Sequence, residues 1–429
     1  MAGKMDARIK RAKILEGFVE APPSKSYTHR AIIIASLAEG KSVVKNYLKS
    51  EDTASTIDAC QAFDIRIEKI GDDLVIYGSG GKLQTPRKEI DVQNSGTTIR
   101  LMCGIASLDG RVKLTGDTSI QKRPMQPLLD ALGQLDVKAY SVKGNGFPPI
   151  VIEGGAFKGG VAKIRGDMSS QFISSILIAS PYAEENVEII LTTEARSRPY
   201  LDITLDIMES FGVSAHNEKY KRFVVESSQR YKGREYQVEG DYSSASYFLA
   251  LAALTGSEIM VKNLVKGSKQ GDKYFLEILQ KMGVKVETDN REVTVSGGEL
   301  TGIEVDLGDT PDLLPTVAAL ATKAEGRTVI KNIKHARFKE CDRVSACAVE
   351  FKKFGAKTEE MEDSLIIHGT KKLKGSRVKS YNDHRMAMAL TVVGLCADGV
   401  TVVEGAECID ISFPGFFSML RQLGADIEV

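Results

Sequence analysis

The sequence predicts an α/β fold in which one α/β unit is repeated six times. A stretch with the apolar spacing of an amphipathic helix recurs six times, and each copy closes with a bulky apolar residue followed by Gly or Asp. The closing residues lie 72, 76, 71, 72 and 69 residues apart and are Phe63, Leu135, Phe211, Met282, Phe354 and Leu423. Such even spacing indicates repeated units, each longer than the roughly 20–50 residues of a solenoid repeat.

Each unit is expected to contain a helix, a tight turn, a strand and one buried helix. The amphipathic stretches cover residues 57–68, 129–139, 205–215, 276–287, 349–359 and 417–428. The residue after each bulky closing residue suits the left-handed position that ends a helix, and the alternating residues beyond it are typical of a half-buried strand. Six other stretches are apolar nearly all round, which predicts buried helices over residues 31–40, 99–110, 172–184, 247–256, 314–326 and 386–399.

Polar or charged residues precede every one of the six buried helices. These segments are residues 24–30, 94–98, 169–171, 241–244, 309–312 and 381–385. Helix capping is one explanation, because Ser, Thr, Asp and Asn accept hydrogen bonds from the free N–H groups of a first turn. Capping needs no Lys25, Arg30 or Arg385, however, and cations are unfavourable near the positive end of a helix dipole unless an anion joins them. The set therefore favours anion binding.

Composition narrows the class of protein. The 429 residues are enough for two or three domains, and 57 basic residues balance 57 acidic ones, so the chain is no polycation for nucleic acid. The five His and six Cys form no Cys-x-x-Cys or His-Glu-x-x-His motif, so no metal is expected. Residues 1–13 are charged, and the longest apolar stretches, such as 386–397, are shorter than a membrane span of roughly 20 residues. We expect a soluble cytoplasmic protein with reduced thiols and no membrane partner.

Eight ordered motifs carry a resemblance to a known family. They are PSKS (23–26) with HR (29–30), NSGTTIR (94–100), KRPM (122–125), GDMSSQF (166–172), SRPY (197–200), GDYSSASY (240–247), KECDR (339–343) and DHRM (383–386). From about residue 15 to residue 424 the chain resembles the 5-enolpyruvylshikimate-3-phosphate synthases. The resemblance implies a two-domain inside-out α/β barrel with three repeats in each domain, buried helices in the middle and sheets outside.

The resemblance also implies the domain boundaries. Residues 21–239 would form the lobe on the shikimate 3-phosphate side, and residues 1–20 plus 240–429 would form the other lobe. The hinge would lie near 20–21 and 239–240, so that a first strand over residues 8–16 packs in the second domain.

The family reaction transfers the enolpyruvyl group of phosphoenolpyruvate to the 5-hydroxyl of shikimate 3-phosphate and releases phosphate, on the route to chorismate and the aromatic amino acids. It proceeds by addition and elimination in the cleft between the domains and needs no cofactor. Both substrates are anionic, and arginine forks match carboxylate and phosphate oxygens bidentately. The expected partners are these small anions, with no nucleic acid, and the chain is expected to be a monomer.

The resemblance assigns site residues one by one. The implied shikimate 3-phosphate residues are Lys25, Ser26, Arg30, Ser169, Ser170, Gln171, Ser197, Asp312, His335 and Lys339. The implied phosphoenolpyruvate residues are Lys25, Asn94, Gly96, Arg123, Gln171, Arg343 and Arg385, and glyphosate would bind in that position. The implied catalytic residues are Lys25, Asp312 and Glu340, with Asp312 at the 5-hydroxyl. Either Glu340 or Lys25 would protonate the enol carbon.

Three positions depart from the family pattern. Ile411 stands where many members carry a Lys that helps to bind phosphoenolpyruvate, His335 stands where well-known bacterial members have Asn, and Gln93 replaces a frequent Gly. Restoring the cation with Ile411→Lys would be expected to tighten phosphoenolpyruvate binding. The alternative is that Ile411 packs in the turn at Phe413 and a neighbouring basic residue fills the role.

Two other functions fit parts of the pattern. UDP-N-acetylglucosamine enolpyruvyl transferase shares the fold and the donor, but it usually carries a reactive Cys on a loop, and the comparable residues 115–122 contain none. A non-enzymatic protein that binds anions or RNA ends is the second alternative, since a fold alone does not fix a function. The zero net charge argues against RNA.

Overall fold

The computed structural model describes residues 5–429, which divide into two compact units. The central unit is Pro23–Val238, and the terminal unit joins the residues up to Pro22 with Glu239–Val429. The sequence prediction placed the boundaries at 20–21 and 239–240. Residues 1–4 of the predicted segment 1–20 lie outside the described residues.

The helices and strands follow one another in chain order. The terminal unit contributes β1 (Ala7–Lys10) and β2 (Glu16–Glu20). The central unit contains α1 (Lys25–Leu37), β3 (Glu39–Lys45), α2 (Glu51–Ala62), β4 (Arg66–Ile70), β5 (Asp73–Ser79), β6 (Ile90–Asp91), α3 (Gly96–Ala106), β7 (Arg111–Thr115), α4 (Gln126–Gly133), β8 (Lys138–Ser141), β9 (Ile150–Glu153), β10 (Gly160–Ile164), α5 (Ser170–Ala179), β11 (Val187–Leu191), α6 (Arg198–Ser210), β12 (Ala215–Glu218), β13 (Arg222–Val225) and β14 (Glu235–Gln237).

The terminal unit then resumes. Its elements are α7 (Tyr242–Thr255), β15 (Glu258–Lys262), α8 (Tyr274–Lys281), β16 (Lys285–Thr288), β17 (Glu292–Ser296), β18 (Glu304–Asp306), α9 (Leu314–Ala321), β19 (Arg327–Lys331), α10 (Arg343–Lys353), β20 (Lys357–Glu360), β21 (Ser364–His368), β22 (Arg377–Lys379), α11 (His384–Gly394), β23 (Val400–Glu404), α12 (Phe416–Gln422) and β24 (Ile427–Glu428). Short 3-10 helices cover Ile120–Lys122, Ser180–Tyr182, Gly271–Lys273, Pro311–Leu313, Lys334–Phe338 and Ala406–Ile411.

The strands of residues 5–429 form six four-stranded sheets with one shared pattern. Three belong to the central unit, in the orders β14-β3-β5-β4, β6-β7-β9-β8 and β10-β11-β13-β12. The other three have the orders β2-β15-β17-β16, β18-β19-β21-β20 and β22-β23-β1-β24. In every sheet the first strand is parallel to the second, and the remaining pairs are antiparallel. The six predicted repeats are confirmed.

The prediction of one first strand over residues 8–16 is wrong in its extent. Two strands are present, and they belong to different sheets: β1 lies between β23 and β24, whereas β2 pairs with β15. The chain must leave one sheet before it can enter the next, which ends the first strand at Lys10. The residues between the strands are irregular, although Leu15 is buried in the core.

The six helix endings have the predicted left-handed residue. It follows each bulky apolar residue with a φ between 62° and 104°, at Asp64, Asp136, Gly212, Gly283, Gly355 and Gly424. Gly adopts this conformation without a steric penalty, and Asp is among the residues that tolerate it. The bulky residue meanwhile stays in the core, as Phe211 and Phe354 do.

The predicted buried helices are α1, α3 and α5 in the central unit and α7, α9 and α11 in the terminal unit. Most of their residues are buried, including every residue of α9 and α11. Most of them begin before the predicted first residue, because the polar residues ahead of the apolar run form the first helical turn. Within residues 5–429, no helix has the length and apolar character needed to cross a membrane.

Candidate active site

Arg30 is a buried cation in the second turn of α1. Its side chain is 1% exposed, its Nε donates to Oγ1 of Thr204 at 2.7 Å, and its Nη1 donates to the Ser26 carbonyl at 3.0 Å. The third nitrogen, Nη2, is buried without a hydrogen bond to any described residue. Burial lowers the pKa of this guanidinium to about 10.

Lys25 opens the same helix, α1, and is paired. Its Nζ lies 2.9 Å from Oδ2 of Asp52, a carboxylate that is 6% exposed in the first turn of α2. Burial alone would raise the pKa of Asp52, but the Lys25 ammonium and a hydrogen bond from Ser95 hold it well below its usual value. Asp52 is therefore ionised, and Lys25 has a fixed direction.

The start of α3 brings a glycine against an arginine. A Cβ added to Gly96 would lie 2.1 Å from Nη1 of Arg123, so only Gly lets this guanidinium approach the helix terminus. Arg123 is 5% exposed and follows the 3-10 helix Ile120–Lys122. Asn94, just before the helix, donates to Asp117 at 2.7 Å.

The starts of α5 and α6 supply hydroxyl and amide groups. Ser169 caps α5 by accepting from the N–H of Gln171 at 3.3 Å, and Ser170 is the first residue of that helix. Arg100 donates to Oε1 of Gln171 at 2.6 Å, which orients the amide. Ser197 precedes α6 in the left-handed region, with a φ of 56°, and it makes no side-chain cap. Such conformations cluster at functional sites in non-Gly residues.

Arg343, the first residue of α10 in the terminal unit, is held by three carboxylates. It lies 2.8 Å from Asp383, 2.8 Å from Asp312 and 2.6 Å from Glu340, and it is 1% exposed. Burial would lower the pKa of the guanidinium, but the three carboxylates keep it well above its ordinary value. Arg343 therefore differs from Arg30 in its partners, since carboxylates compensate the charge of Arg343 and neutral groups contact Arg30.

Asp312 joins three cations in the terminal unit. Besides Arg343, Nζ of Lys339 lies 3.3 Å from Oδ1, and Nη2 of Arg385 lies 2.9 Å from Oδ2. Arg385 also donates to Oγ of Ser243, which is buried in the first turn of α7. The structure therefore brings together the predicted Asp312, Lys339, Glu340, Arg343 and Arg385, with His335 in the adjoining 3-10 helix Lys334–Phe338.

Ile411 ends the 3-10 helix Ala406–Ile411 and belongs to the hydrophobic core. It is 9% exposed and clusters with buried residues that include Phe413. This burial favours the packing explanation for the departure at this position. Within residues 5–429 there is no group of three or more His, Cys, Asp or Glu placed to hold a metal ion.

Four contributors to these clusters were missed by sequence reasoning: Asp52, Thr204, Ser243 and Asp383. Asp383 lies in the polar segment 381–385 and in the DHRM motif, but it was assigned no role of its own. It caps α11, because its Oδ1 accepts from the N–H of Arg385 at 2.8 Å. Asp52 and Thr204 lie 27 and 174 residues from Lys25 and Arg30 respectively, and no local pattern marks them.

Known proteins resemble this chain over nearly its whole length. Residues 9–420 match the family model of EPSP synthase (3-phosphoshikimate 1-carboxyvinyltransferase). The chain is 50% identical over 426 residues to the 3-phosphoshikimate 1-carboxyvinyltransferase of Methanocaldococcus jannaschii, with 98% of this chain and 99% of the relative covered. It is 48% identical over 427 residues to that of Methanococcus maripaludis, with the same coverage.

Solved structures give the same result. The EPSP synthase of Acinetobacter baumannii superposes with a TM-score of 0.84 at 27% identity, covering 99% of both chains. The match confirms the two-domain inside-out α/β fold that the motifs implied. With a family model spanning almost the whole chain and relatives near 50% identity, this protein belongs to the EPSP synthase family.

Proposed function

We propose that this protein transfers the enolpyruvyl group of phosphoenolpyruvate to the 5-hydroxyl of shikimate 3-phosphate and releases phosphate, as an enzyme of the shikimate pathway. Family membership supports this reaction, and the buried guanidinium of Arg30 is the observation that carries it at the level of the site. Two of its nitrogens have neutral partners within the unit, and Nη2 has no hydrogen bond to a described residue. A desolvated cation of this kind is stabilised by an anion.

The acceptor carboxylate is the anion that we assign to Arg30 and Ser26. An arginine fork binds a carboxylate through two parallel hydrogen bonds, and the carboxylate would compensate the buried charge. Hydroxyls at the starts of α5 and α6 suit a phosphate, because Ser169, Ser170 and Ser197 lie beside helix N-termini. Gln171 is oriented by Arg100 for a hydrogen bond to a substrate oxygen. Lys339 and His335 of the terminal unit complete this set of proposed ligands.

Phosphoenolpyruvate is assigned to the remaining cations and to Lys25. In the central unit, Arg123 beside Gly96, with Asn94, offers a guanidinium at a helix start. In the terminal unit, Arg343 and Arg385 share Asp312 with each other, so a phosphate there would meet two guanidinium groups in fixed positions. Oriented cations stabilise the charge that develops as a phosphate group leaves.

The proposed chemistry uses one ammonium and two carboxylates. Asp312 accepts a hydrogen bond from the 5-hydroxyl while that oxygen adds to C2 of the enolpyruvate, and C3 receives a proton from Glu340 or Lys25. Lys25 is the group whose ammonium is held in position, by its ion pair with Asp52. Positioned proton transfer of this kind is typically worth about 100- to 10,000-fold in rate. C3 then returns its proton to the group that supplied it as the C2–O bond to phosphate breaks, and the proton that Asp312 takes from the 5-hydroxyl departs with the phosphate.

Phosphate release tests this assignment. The full chain is mixed with phosphoenolpyruvate and either shikimate 3-phosphate, UDP-N-acetylglucosamine or no acceptor. We expect phosphate release only with shikimate 3-phosphate, in a ratio of one phosphate per acceptor consumed. Phosphate release with the UDP-sugar alone would assign the chain to the other enolpyruvyl transferases. If neither acceptor causes phosphate release, the site would be one for anion binding only.

Gly96→Ala is expected to weaken phosphoenolpyruvate binding without unfolding the protein. The added Cβ meets the far end of the flexible Arg123 side chain, which can move aside, so the guanidinium leaves its position. Losing a charged hydrogen bond of about 1.5–3 kcal/mol corresponds to a KM for phosphoenolpyruvate raised roughly 10- to 150-fold. Steady-state kinetics with each substrate varied in turn measure this change.

Gly133→Ala is the matched control, because a Cβ at that helix position meets nothing within 4 Å. It should leave both KM values unchanged. Glyphosate should inhibit the wild-type protein in competition with phosphoenolpyruvate, and Gly96→Ala should weaken that inhibition. Indifference of the wild type to millimolar glyphosate would contradict the assignment of Gly96 to this subsite.

We further propose that the protein is a cytoplasmic monomer whose partners are small anions. All six cysteines are free thiols, as expected in a reducing compartment. Equilibrium sedimentation at a mass near 46.7 kDa would support the monomer, and a concentration-dependent doubling would contradict it.

A further inference from the structure

Five buried side chains of the central unit form a closed ring next to Lys25, here called the His29 ring. Its members, all at most 6% exposed, are Asp52, Ser95, Thr98, Thr56 and His29. Oγ of Ser95 donates to Oδ1 of Asp52 and lies 2.5 Å from Oγ1 of Thr98, which lies 2.6 Å from Oγ1 of Thr56. Nδ1 of His29 lies 2.6 Å from Oγ1 of Thr56, and Nε2 of His29 lies 3.5 Å from Oδ1 of Asp52.

The number of available protons fixes the direction of every bond in the ring. Ser95 gives its single hydroxyl proton to the carboxylate of Asp52, so the proton between Ser95 and Thr98 must come from Thr98. Thr98 then has none left for Thr56, which must donate to Thr98. The hydroxyl of Thr56 already donates its one proton to Thr98, so Nδ1 of His29 must donate the hydrogen of the bond to Thr56.

This assignment leaves Nε2 of His29 bare in the neutral imidazole. Nε2 has no hydrogen bond to a described residue and lies 3.5 Å from Oδ1 of Asp52. Burial lowers the pKa of His29, although the Asp52 carboxylate opposes the shift; Lys25 and Arg30 lower it further. The opposite tautomer, with hydrogen on Nε2, would leave one pair of hydroxyl oxygens, either 2.5 or 2.6 Å apart, without a proton between them.

We propose that His29 is a positioning residue for Lys25, because its Nδ1–H tautomer directs the whole ring toward Asp52 and leaves Oδ2 of that carboxylate to the ammonium group. A hydrogen on Nε2 would give the Asp52 carboxylate a second N–H donor. The ion pair between Asp52 and Nζ of Lys25, 2.9 Å apart, would then be weaker. This inference rests on the proposed role of Lys25 in the transfer reaction.

The tautomer is tested directly by ¹⁵N NMR of the full chain labelled in its five His side chains, without substrates. The signals of His29 are those lost in His29→Gln. At pH 7.5 we expect hydrogen on Nδ1 and none on Nε2. Hydrogen on Nε2, alone or on both nitrogens, would overturn the ring assignment, and this result does not depend on what Lys25 does.

Thr56→Val and Thr56→Ser form the matched pair for the link to Lys25. Val has the same shape as Thr but no hydroxyl, so it frees His29 to move its hydrogen to Nε2, whereas Ser keeps the relay. We expect Thr56→Val to shift the ¹⁵N signals to the Nε2–H pattern and to lower kcat about 5- to 10-fold, the loss of roughly one hydrogen bond. Thr56→Ser should keep the wild-type ¹⁵N pattern and a kcat within about 2-fold of the wild-type value.

Acid pH supplies a second readout that a purely structural role of Thr56 would not move. Protonation of Nε2 in the wild type should lower kcat as pH falls through the pKa of His29, which burial holds below its ordinary value of about 6.5, and Thr56→Val, already carrying that hydrogen, should show a flatter acid limb. A tautomer shift in Thr56→Val with unchanged kcat would overturn the link to Lys25. So would an equal loss of kcat in Thr56→Ser and Thr56→Val.

Discussion

Arg343→Met is expected to destabilise the protein by about 3–5 kcal/mol, the largest stability effect of any single site residue. Arg343 is 1% exposed and compensates three carboxylates at 2.6–2.8 Å, of which Asp383 is fully buried. Met keeps much of the side-chain length but removes the cation that Asp383 and Glu340 share, whereas Asp312 keeps Lys339 and Arg385. Denaturant unfolding of the wild type and the variant measures the difference.

The loss should depend on pH with a definite sign. Without Arg343, we expect Asp383 and Glu340 to have raised pKa values in the folded variant, so the folded state takes up protons more readily than the unfolded chain. The variant is therefore least destabilised at low pH, and the gap to wild type widens as pH rises from about 5 to 8. A gap that is constant over this range would contradict the charge account. Arg377→Met is the control, since this arginine also meets two carboxylates but is exposed, and its removal should leave the midpoint nearly unchanged.

Arg30→Ala is expected to raise the KM for shikimate 3-phosphate roughly 10- to 150-fold, from the loss of a charged hydrogen bond worth about 1.5–3 kcal/mol in a dry site. The KM for phosphoenolpyruvate should change much less. Arg30→Met should have the same kinetic effect with little cost in stability, because no carboxylate of the described residues lies against Arg30 and none is left uncompensated.

Equal rises in both KM values would contradict the assignment of Arg30 to one ligand. A loss of stability in Arg30→Met as large as that in Arg343→Met would show that Arg30 is compensated within the folded chain. Arg66→Ala is the control for removing a positive charge from the central unit. Its side chain is 68% exposed and pairs with Glu68 on the surface, so neither KM should move.

The repeated architecture could be predicted because its signals are local. A bulky residue such as Phe354 must be buried while the next residue, Gly355 with a φ of 104°, turns the chain, and both requirements are visible within a few residues of sequence. The first strand was wrong for the opposite reason. Whether residues 8–16 form one strand or two depends on β15 and β23, which follow more than 200 residues later.

The residues of the candidate site could likewise be predicted in part: the cations could be predicted from the sequence, and the contacts that compensate them could not. The cations of the site can be identified from the sequence, because Lys25, Arg30 and Arg385 are unexpected near helix starts unless an anion is present. Their compensation by Asp52 or Asp383, and the lack of it at Arg30, depends on which helices pack together. No sequence pattern distinguishes Arg30, with two neutral partners, from Arg343, with three carboxylates. That distinction is the basis of the proposed acceptor site.

The central claim is that the buried guanidinium of Arg30 receives the carboxylate of shikimate 3-phosphate. Calorimetric titration of the wild type and Arg30→Ala with shikimate 3-phosphate, and with an analogue whose carboxylate is replaced by a hydroxymethyl group, tests it most directly. We predict that the wild type binds the analogue roughly 10- to 150-fold more weakly, and that Arg30→Ala binds both ligands equally. Undiminished preference for the carboxylate in Arg30→Ala would contradict the claim.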